Sequence, residues 1–461
     1  MKDGLRLSVD TLALFPPDEA ERFNYHRDAQ SVGIVHFGIG AFHRAHQAWY
    51  TDAAMNAGDA NWMITGVSLR SAEVAEQMIP QQGLYSVTER SATGAEVRIV
   101  GAVREVLVAP YETQAVIAAL AAPATHIASL TITEKGYCRA ADGALNPELA
   151  GELSVYWYLA AGLRRRHDAR LPGLTLLCCD NLAHNGVQLA RLMGEYLERH
   201  DPALLGWFEA ECTCPATMVD RIVPATTDAD RLAVTEALDG LGDHAAVMTE
   251  PFSQWVIEDR FAGPRPRWEL VGAQLVSDVA PYETAKLRML NGAHSALAYV
   301  GIIRGHTYVH EAITDPAIGP LVQRLMREEA MPTIKAPPGL DLNRYADDLI
   351  ERFANPVLQH RLIQIAMDGS QKIPQRWLET LVANRAMGCP CPALLAALAA
   401  WLTHTSGANG TVDDPMAATF SRLWSEAGRA GVASALFGPR GLFAANWIAD
   451  EAELALIAGA D

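Results

Sequence analysis

The chain has 461 residues, half of them hydrophobic and a fifth charged, which is enough for two domains with cores of their own. Its 54 acidic residues outnumber 37 basic ones, giving a formal charge of −17, and no basic run interrupts the excess; a nucleic-acid partner is not expected. The longest helix-like apolar stretch, residues 392–402, is too short to span a bilayer, and the opening Met1-Lys-Asp-Gly-Leu-Arg lacks the apolar core of a signal peptide, so a cytoplasmic protein with no membrane partner is expected.

From about residue 31 to residue 180, apolar runs alternate with helix-like stretches. The first run, Ser31-Val-Gly-Ile-Val-His-Phe, enters Gly38-Ile-Gly40-Ala-Phe42-His-Arg44 and then a helical segment through about Asn56. A strand, a Gly-x-Gly turn and a helix open a Rossmann crossover, where glycines let the backbone approach a pyrophosphate at the helix start. The third glycine of that fingerprint is replaced by His43, and Arg44 beside it is a candidate fork for a phosphate. Residues 61–68, 126–133 and 174–180 read as further strands; residues 111–122, 152–166 and 186–200 read as helices. Such alternation predicts a parallel sheet covered on both faces. Residues 85–108 read as an antiparallel insertion.

The pattern changes near residue 277. Residues 283–303, 320–330, 345–353 and 392–403 have helical spacing, with few strand-like runs. The expected fold class is therefore α/β, a Rossmann-type N-terminal domain (residues 1–276) followed by a mostly α-helical C-terminal domain (residues 277–461). Just inside the second domain stands Lys286-Leu-Arg-Met-Leu-Asn291-Gly-Ala-His294. At about 100° per residue Lys286 and Asn291 lie about 140° apart with His294 between them. An amine, an amide and an imidazole so placed suit proton transfer, an oxygen contact and a hydroxyl contact. Read alone, the triple equally suits an ordinary amphipathic helix.

The seven cysteines are too few and odd in number for a secreted disulfide frame. Cys212-Thr-Cys214 and Cys389-Pro-Cys391 have one residue between thiols rather than the two to four usual for structural zinc, and no metal is expected.

Together these segments resemble the mannitol dehydrogenase family of long-chain polyol dehydrogenases. The likeness rests on Gly38-Ile-Gly40-Ala-Phe-His-Arg44-Ala-His, Thr131-Ile-Thr-Glu134-Lys-Gly-Tyr137, Asp180-Asn181-Leu-Ala-His-Asn185-Gly, Met218-Val-Asp220-Arg221-Ile-Val-Pro224 and the Lys286/Asn291/His294 box. It implies a metal-independent NAD(P)-linked oxidoreductase. It assigns Lys286 as general acid and base, Asn181 and Asn291 as the amides on the reacting oxygen, His294 as the substrate-orienting imidazole, and Glu283 as a proton path to solvent. For Lys286 to accept a proton near neutrality its pKa must fall below the ordinary value of about 10.4. Gly38, Gly40, Phe42 and Arg44 are the implied cofactor contacts. Glu73 matches the acidic residue that bonds the ribose and favours NAD over NADP, with Arg70 nearby as a competing phosphate contact.

Substrate choice turns on Gln364-Ile-Ala-Met-Asp368-Gly-Ser-Gln-Lys372-Ile-Pro-Gln-Arg376. Gln364 stands where mannitol enzymes carry an arginine, and the run is more similar to the mannonate oxidoreductase (fructuronate reductase) branch. Lys135, Lys372 and Arg376 are candidate partners for a substrate carboxylate; each also suits an ordinary surface cation. The expected reaction is D-mannonate with NAD⁺ to D-fructuronate and NADH. Alternatives are a mannitol or arabinitol 2-dehydrogenase, an altronate (tagaturonate) oxidoreductase, a metal-dependent polyol dehydrogenase and a non-catalytic nucleotide-binding regulator. The intact lysine box speaks against the last.

Overall fold

The computed structural model describes residues 4–14, 20–140 and 142–459. Residues 1–3, part of the start examined for a signal sequence, lie outside the described residues. Two compact units divide the chain, Met1–Val279 and Ala280–Asp461.

Among the described residues the first unit contains twelve strands: β1 (Glu21–Arg22), β2 (Val32–Phe37), β3 (Met63–Ser68), β4 (Tyr85–Ser91), β5 (Gly94–Val100), β6 (Val103–Val108), β7 (Ile127–Leu130), β8 (Thr175–Cys178), β9 (Thr217–Asp220), β10 (Val247–Thr249), β11 (Gln254–Glu258) and β12 (Gln274–Val276). Five form one sheet in the order β6-β3-β2-β7-β8, every pair parallel. Counted along the chain within this sheet, that is the order 3-2-1-4-5 of a Rossmann fold. The apolar runs of β2, β7 and β8 are buried nearly throughout because helices cover both faces. Alternate residues feed opposite cores: Val35, Phe37, Ala128 and Leu130 enter one, Ile34, Ile64 and Ile127 the other.

Residues 85–108 are only partly the antiparallel insertion expected. β4 and β5 do pair antiparallel, from Tyr85↔Val100 to Ser91↔Gly94. β6 instead runs parallel to β3 and forms the edge of the main sheet. Only Gly101 and Ala102 separate β5 from β6, so the sequence shows one continuous alternating stretch where the chain in fact changes sheets. A four-stranded sheet β1-β5-β4-β10 and a three-stranded sheet β12-β11-β9 complete the unit.

The second unit is helical around one core that includes Tyr299, Trp377 and Trp401. The expected helix over residues 283–303 is α-helical at Ala280–Ala285, π-helical at Lys286–Asn291 and α-helical again at Gly292–Ile303. Further π turns occur at Leu325–Ala330 and Pro374–Leu378, and both pack on the first.

Candidate active site

In the first unit the chain leaves β2 for the helices while β3 and β6 build outward on one side and β7 and β8 on the other. The crevice at such a reversal, outside the carboxyl ends of β2 and β7, is where open α/β sheets hold ligands. Gly38 occupies it with φ +93°, and an added Cβ would stand 2.1 Å from the Thr131 carbonyl oxygen. Thr131 Oγ1 donates to the Gly38 carbonyl at 2.7 Å, and the amide of Thr131 donates to Phe37 at 2.9 Å. Gly40 caps the helix Ala41–Ala45 with no side-chain acceptor, and an added Cβ there would meet nothing nearer than the Gly38 carbonyl at 3.9 Å. The turn thus presents backbone amides beneath open space, which fits a dinucleotide pyrophosphate.

Beneath the turn, His36 bridges Ser129 Oγ and Thr131 Oγ1, each at 2.8 Å, and stacks on His43 at 3.4 Å between centroids. Burial pushes His36 down to about 3, and His43 also lies well below the usual imidazole range, so both rings are neutral. Sequence reasoning named His43 only as the missing third glycine; its place under the loop was not legible. Phe42 is half-buried against the apolar core behind the turn. The Arg44 guanidinium is buried, bonded to the carbonyls of Gly40 and Ala245 and packed over Tyr85. It braces the turn from within the core.

The other first-unit candidates lie at carboxyl ends of the same sheet. Glu73 is exposed at the start of the helix Glu73–Met78, beyond the end of β3, and its amide bonds Ser71 Oγ. Lys135 is exposed on the turn Thr133–Gly136 after β7. Asn181 is exposed just past β8. Between them stands Asp180, whose carboxylate accepts from the amides of Ile132 and Thr133 at 2.8 and 3.2 Å and from Tyr137 Oη at 2.7 Å. It ties the loop bearing Lys135 to the strand end bearing Asn181. Asn185 secures the far side of that loop through Thr217, accepting from its amide and donating to its carbonyl, both at 2.9 Å. Arg221, another residue of the motifs, is buried and holds the Ala45 and Glu250 carbonyls and Glu89.

In the second unit the π winding revises the expected geometry of the box. A bond from residue i to i+5 puts one more residue in the turn than an α-helix has. Asn291 therefore comes round towards the side of Lys286 rather than lying about 140° away. Lys286 and His294 are each 8% exposed; Glu283 and Asn291 are half-buried. Residues of the Pro374–Leu378 turn take up the carbonyls at the junction of π and α winding: Arg376 Nη1 donates to Asn291 O at 3.3 Å and Ser295 Oγ at 2.8 Å, and Trp377 Nε1 to Gly292 O at 3.0 Å. Burial pushes the Arg376 guanidinium down to about 10. Lys372 Nζ donates to the Met367 carbonyl at 2.6 Å, and Gln364 is exposed. The second unit thus brings Lys286, Asn291, His294 and Arg376 together; Lys372 lies on the preceding helical turn.

The Rossmann-domain model of mannitol dehydrogenases matches residues 32–270 and the C-terminal-domain model residues 278–447. The chain belongs to the mannitol dehydrogenase family. It is 42% identical to D-mannonate oxidoreductase of Escherichia coli, over 89% of this chain and 88% of that one. It is 37% identical to a mannitol dehydrogenase of Saccharomyces cerevisiae, over 88% and 85% of the two chains. The solved mannitol 2-dehydrogenase of Pseudomonas fluorescens, in a ternary complex with NAD and D-mannitol, superposes with a TM-score of 0.85 at 35% identity, covering 98% of this chain and 95% of that one. The first of these models covers the glycine turn and the second the lysine box, and the chain is an oxidoreductase acting on CH–OH groups of polyols or sugar acids.

Proposed function

We propose that the chain interconverts D-mannonate and D-fructuronate with NAD, using Lys286 as its acid and base. NAD, held at the glycine turn, would supply the hydride acceptor for the carbinol carbon. Gly38, Gly40 and Phe42 form its turn, Arg44 braces that turn, and Glu73 holds the ribose and disfavours an added phosphate. Lys286 takes the hydroxyl proton as the carbonyl forms, and Glu283 passes it towards solvent. The amides of Asn181 and Asn291 donate to the reacting oxygen, and His294 orients a neighbouring hydroxyl.

One observation carries the choice of a sugar acid. Arg376 is partly buried beside Asn291, and among the described residues its hydrogen bonds use Nη1 alone. Its other N–H groups are available to a carboxylate, and a charge-assisted bond there is worth about 1.5–3 kcal/mol. Lys135, on the turn after β7, and Lys372, on the helical turn before Arg376, are further candidate cations. The 42% identity to D-mannonate oxidoreductase supports the same reading. The test is a panel of D-mannonate, D-altronate, D-mannitol, D-arabinitol and D-sorbitol with NAD⁺ and NADP⁺, followed by nicotinamide absorbance. D-mannonate with NAD⁺ is expected to give the highest kcat/KM; a neutral polyol in first place overturns the assignment.

A further inference from the structure

A second imidazole stands against the lysine box. His360 meets His294 edge to face, with centroids 5.4 Å apart and planes at 90°, and Phe353 closes on His294 at 4.6 Å. His294 Nε2 and His360 Nδ1 are both buried, and neither has a hydrogen-bond partner among the described residues. A buried polar atom without a partner is a standing cost to the fold, and a hydrogen bond from a group outside the chain would remove it. Burial, His360, Arg352 and Arg376 hold His294 well below the usual imidazole range, and burial lowers His360 as well. Two neutral rings result, each with one donor and one acceptor nitrogen. His360 is also held firmly: its carbonyl accepts from the Val309 amide at 3.0 Å, next to the antiparallel bridge between Tyr308 and Arg361.

We propose that His360 is a substrate-binding residue that shares with His294 one hydroxyl of the polyhydroxy chain. A hydroxyl donates once and accepts twice, so it can donate to one ring and accept from the other, and it satisfies both orphaned nitrogens at once. The proposal rests on reading Lys286, Asn291 and His294 as the catalytic box. It does not depend on whether the substrate is an acid or a polyol, since both carry the hydroxyls.

The test uses full-length His360→Ala and His360→Asn, assayed with whichever panel substrate the unaltered enzyme prefers. His360→Ala is expected to raise KM for that substrate tenfold or more. Its kcat and its KM for NAD⁺ should stay within twofold and its melting temperature unchanged. His360→Asn, which keeps a donor and an acceptor, should recover part of the loss and serves as the test if the alanine variant does not fold. A sugar KM within twofold of the parent overturns the proposal, and so does an equal loss of cofactor and sugar binding together with a lower melting temperature. If the parent prefers a polyol, the mannonate assignment falls while the His360 result still stands. If the parent turns over no member of the panel, the box reading and this proposal fall together.

Discussion

The two glycines of the nucleotide turn should respond in opposite ways to the same methyl group. Gly38→Ala forces a left-handed φ of +93° on a residue with a side chain and places Cβ 2.1 Å from the Thr131 carbonyl oxygen. The conformation costs about 1–2 kcal/mol, and the overpacking a further 1–3 kcal/mol or so. Relief requires Thr131 to retreat, at the expense of its bonds to Phe37 and Gly38. A loss of about 2–5 kcal/mol should lower the melting temperature of the first unit by roughly 3–9 °C in calorimetry. Gly40→Ala meets an ordinary extended backbone, φ −78° and ψ −175°, and no contact nearer than 3.9 Å. Its melting temperature should match the parent or rise slightly, because the alanine restricts the unfolded chain. Yet its methyl occupies the space over the helix start, so KM for NAD⁺ should rise about tenfold or more, equivalent to about 1.4 kcal/mol. A Gly40→Ala enzyme with the parental KM would refute the turn as the pyrophosphate cradle. A Gly38→Ala enzyme melting like the parent would refute the steric argument.

Lys286→Ala should lower kcat by about 10²–10⁴ with little change in cofactor binding, and parental turnover across the pH range would remove it from the chemistry. Asn181→Ala and Asn291→Ala should each cost about 2.7–4 kcal/mol of transition-state stabilisation, measured as kcat/KM. Glu73→Ala and Glu73→Lys should move the ratio of kcat/KM for the two cofactors towards NADP⁺; an unchanged ratio would direct attention to Arg70. In the second unit, the buried Glu329 carboxylate accepts from the amides of Ala393 and Leu394 at 2.7 and 2.8 Å. Glu329→Ala orphans both amides and should cost about 2–6 kcal/mol in urea unfolding, with Glu329→Gln losing less because it keeps one acceptor.

What could be read from the sequence follows from what burial imposes on it. β2, β7 and β8 are covered on both faces, so their apolar runs are unbroken and stand out. The strands β9 to β12 are short, three to five residues each, and left no pattern long enough to read. The boundary between β5 and β6 was hidden because two residues carry the chain from one sheet to another. In the site, the motif residues were legible as types but not in their surroundings. Arg44 has the chemistry of a phosphate fork, yet its guanidinium lies in the core on two backbone carbonyls. The π winding at Lys286–Asn291 has no sequence period of its own; it is held by Arg376 and Trp377 from far along the chain. His360 reaches His294 only through tertiary packing, so no spacing rule could have found it.

A terminal carboxylate distinguishes the proposed substrate from a neutral sugar. Reduction of D-fructuronate and of D-fructose by NADH compares two ketoses that differ only at that terminal carbon. If Arg376 binds the acid, kcat/KM for D-fructuronate should exceed that for D-fructose by about ten- to a hundredfold, the equivalent of one charged hydrogen-bonded contact. Equal rates, or a preference for D-fructose, would contradict the claim.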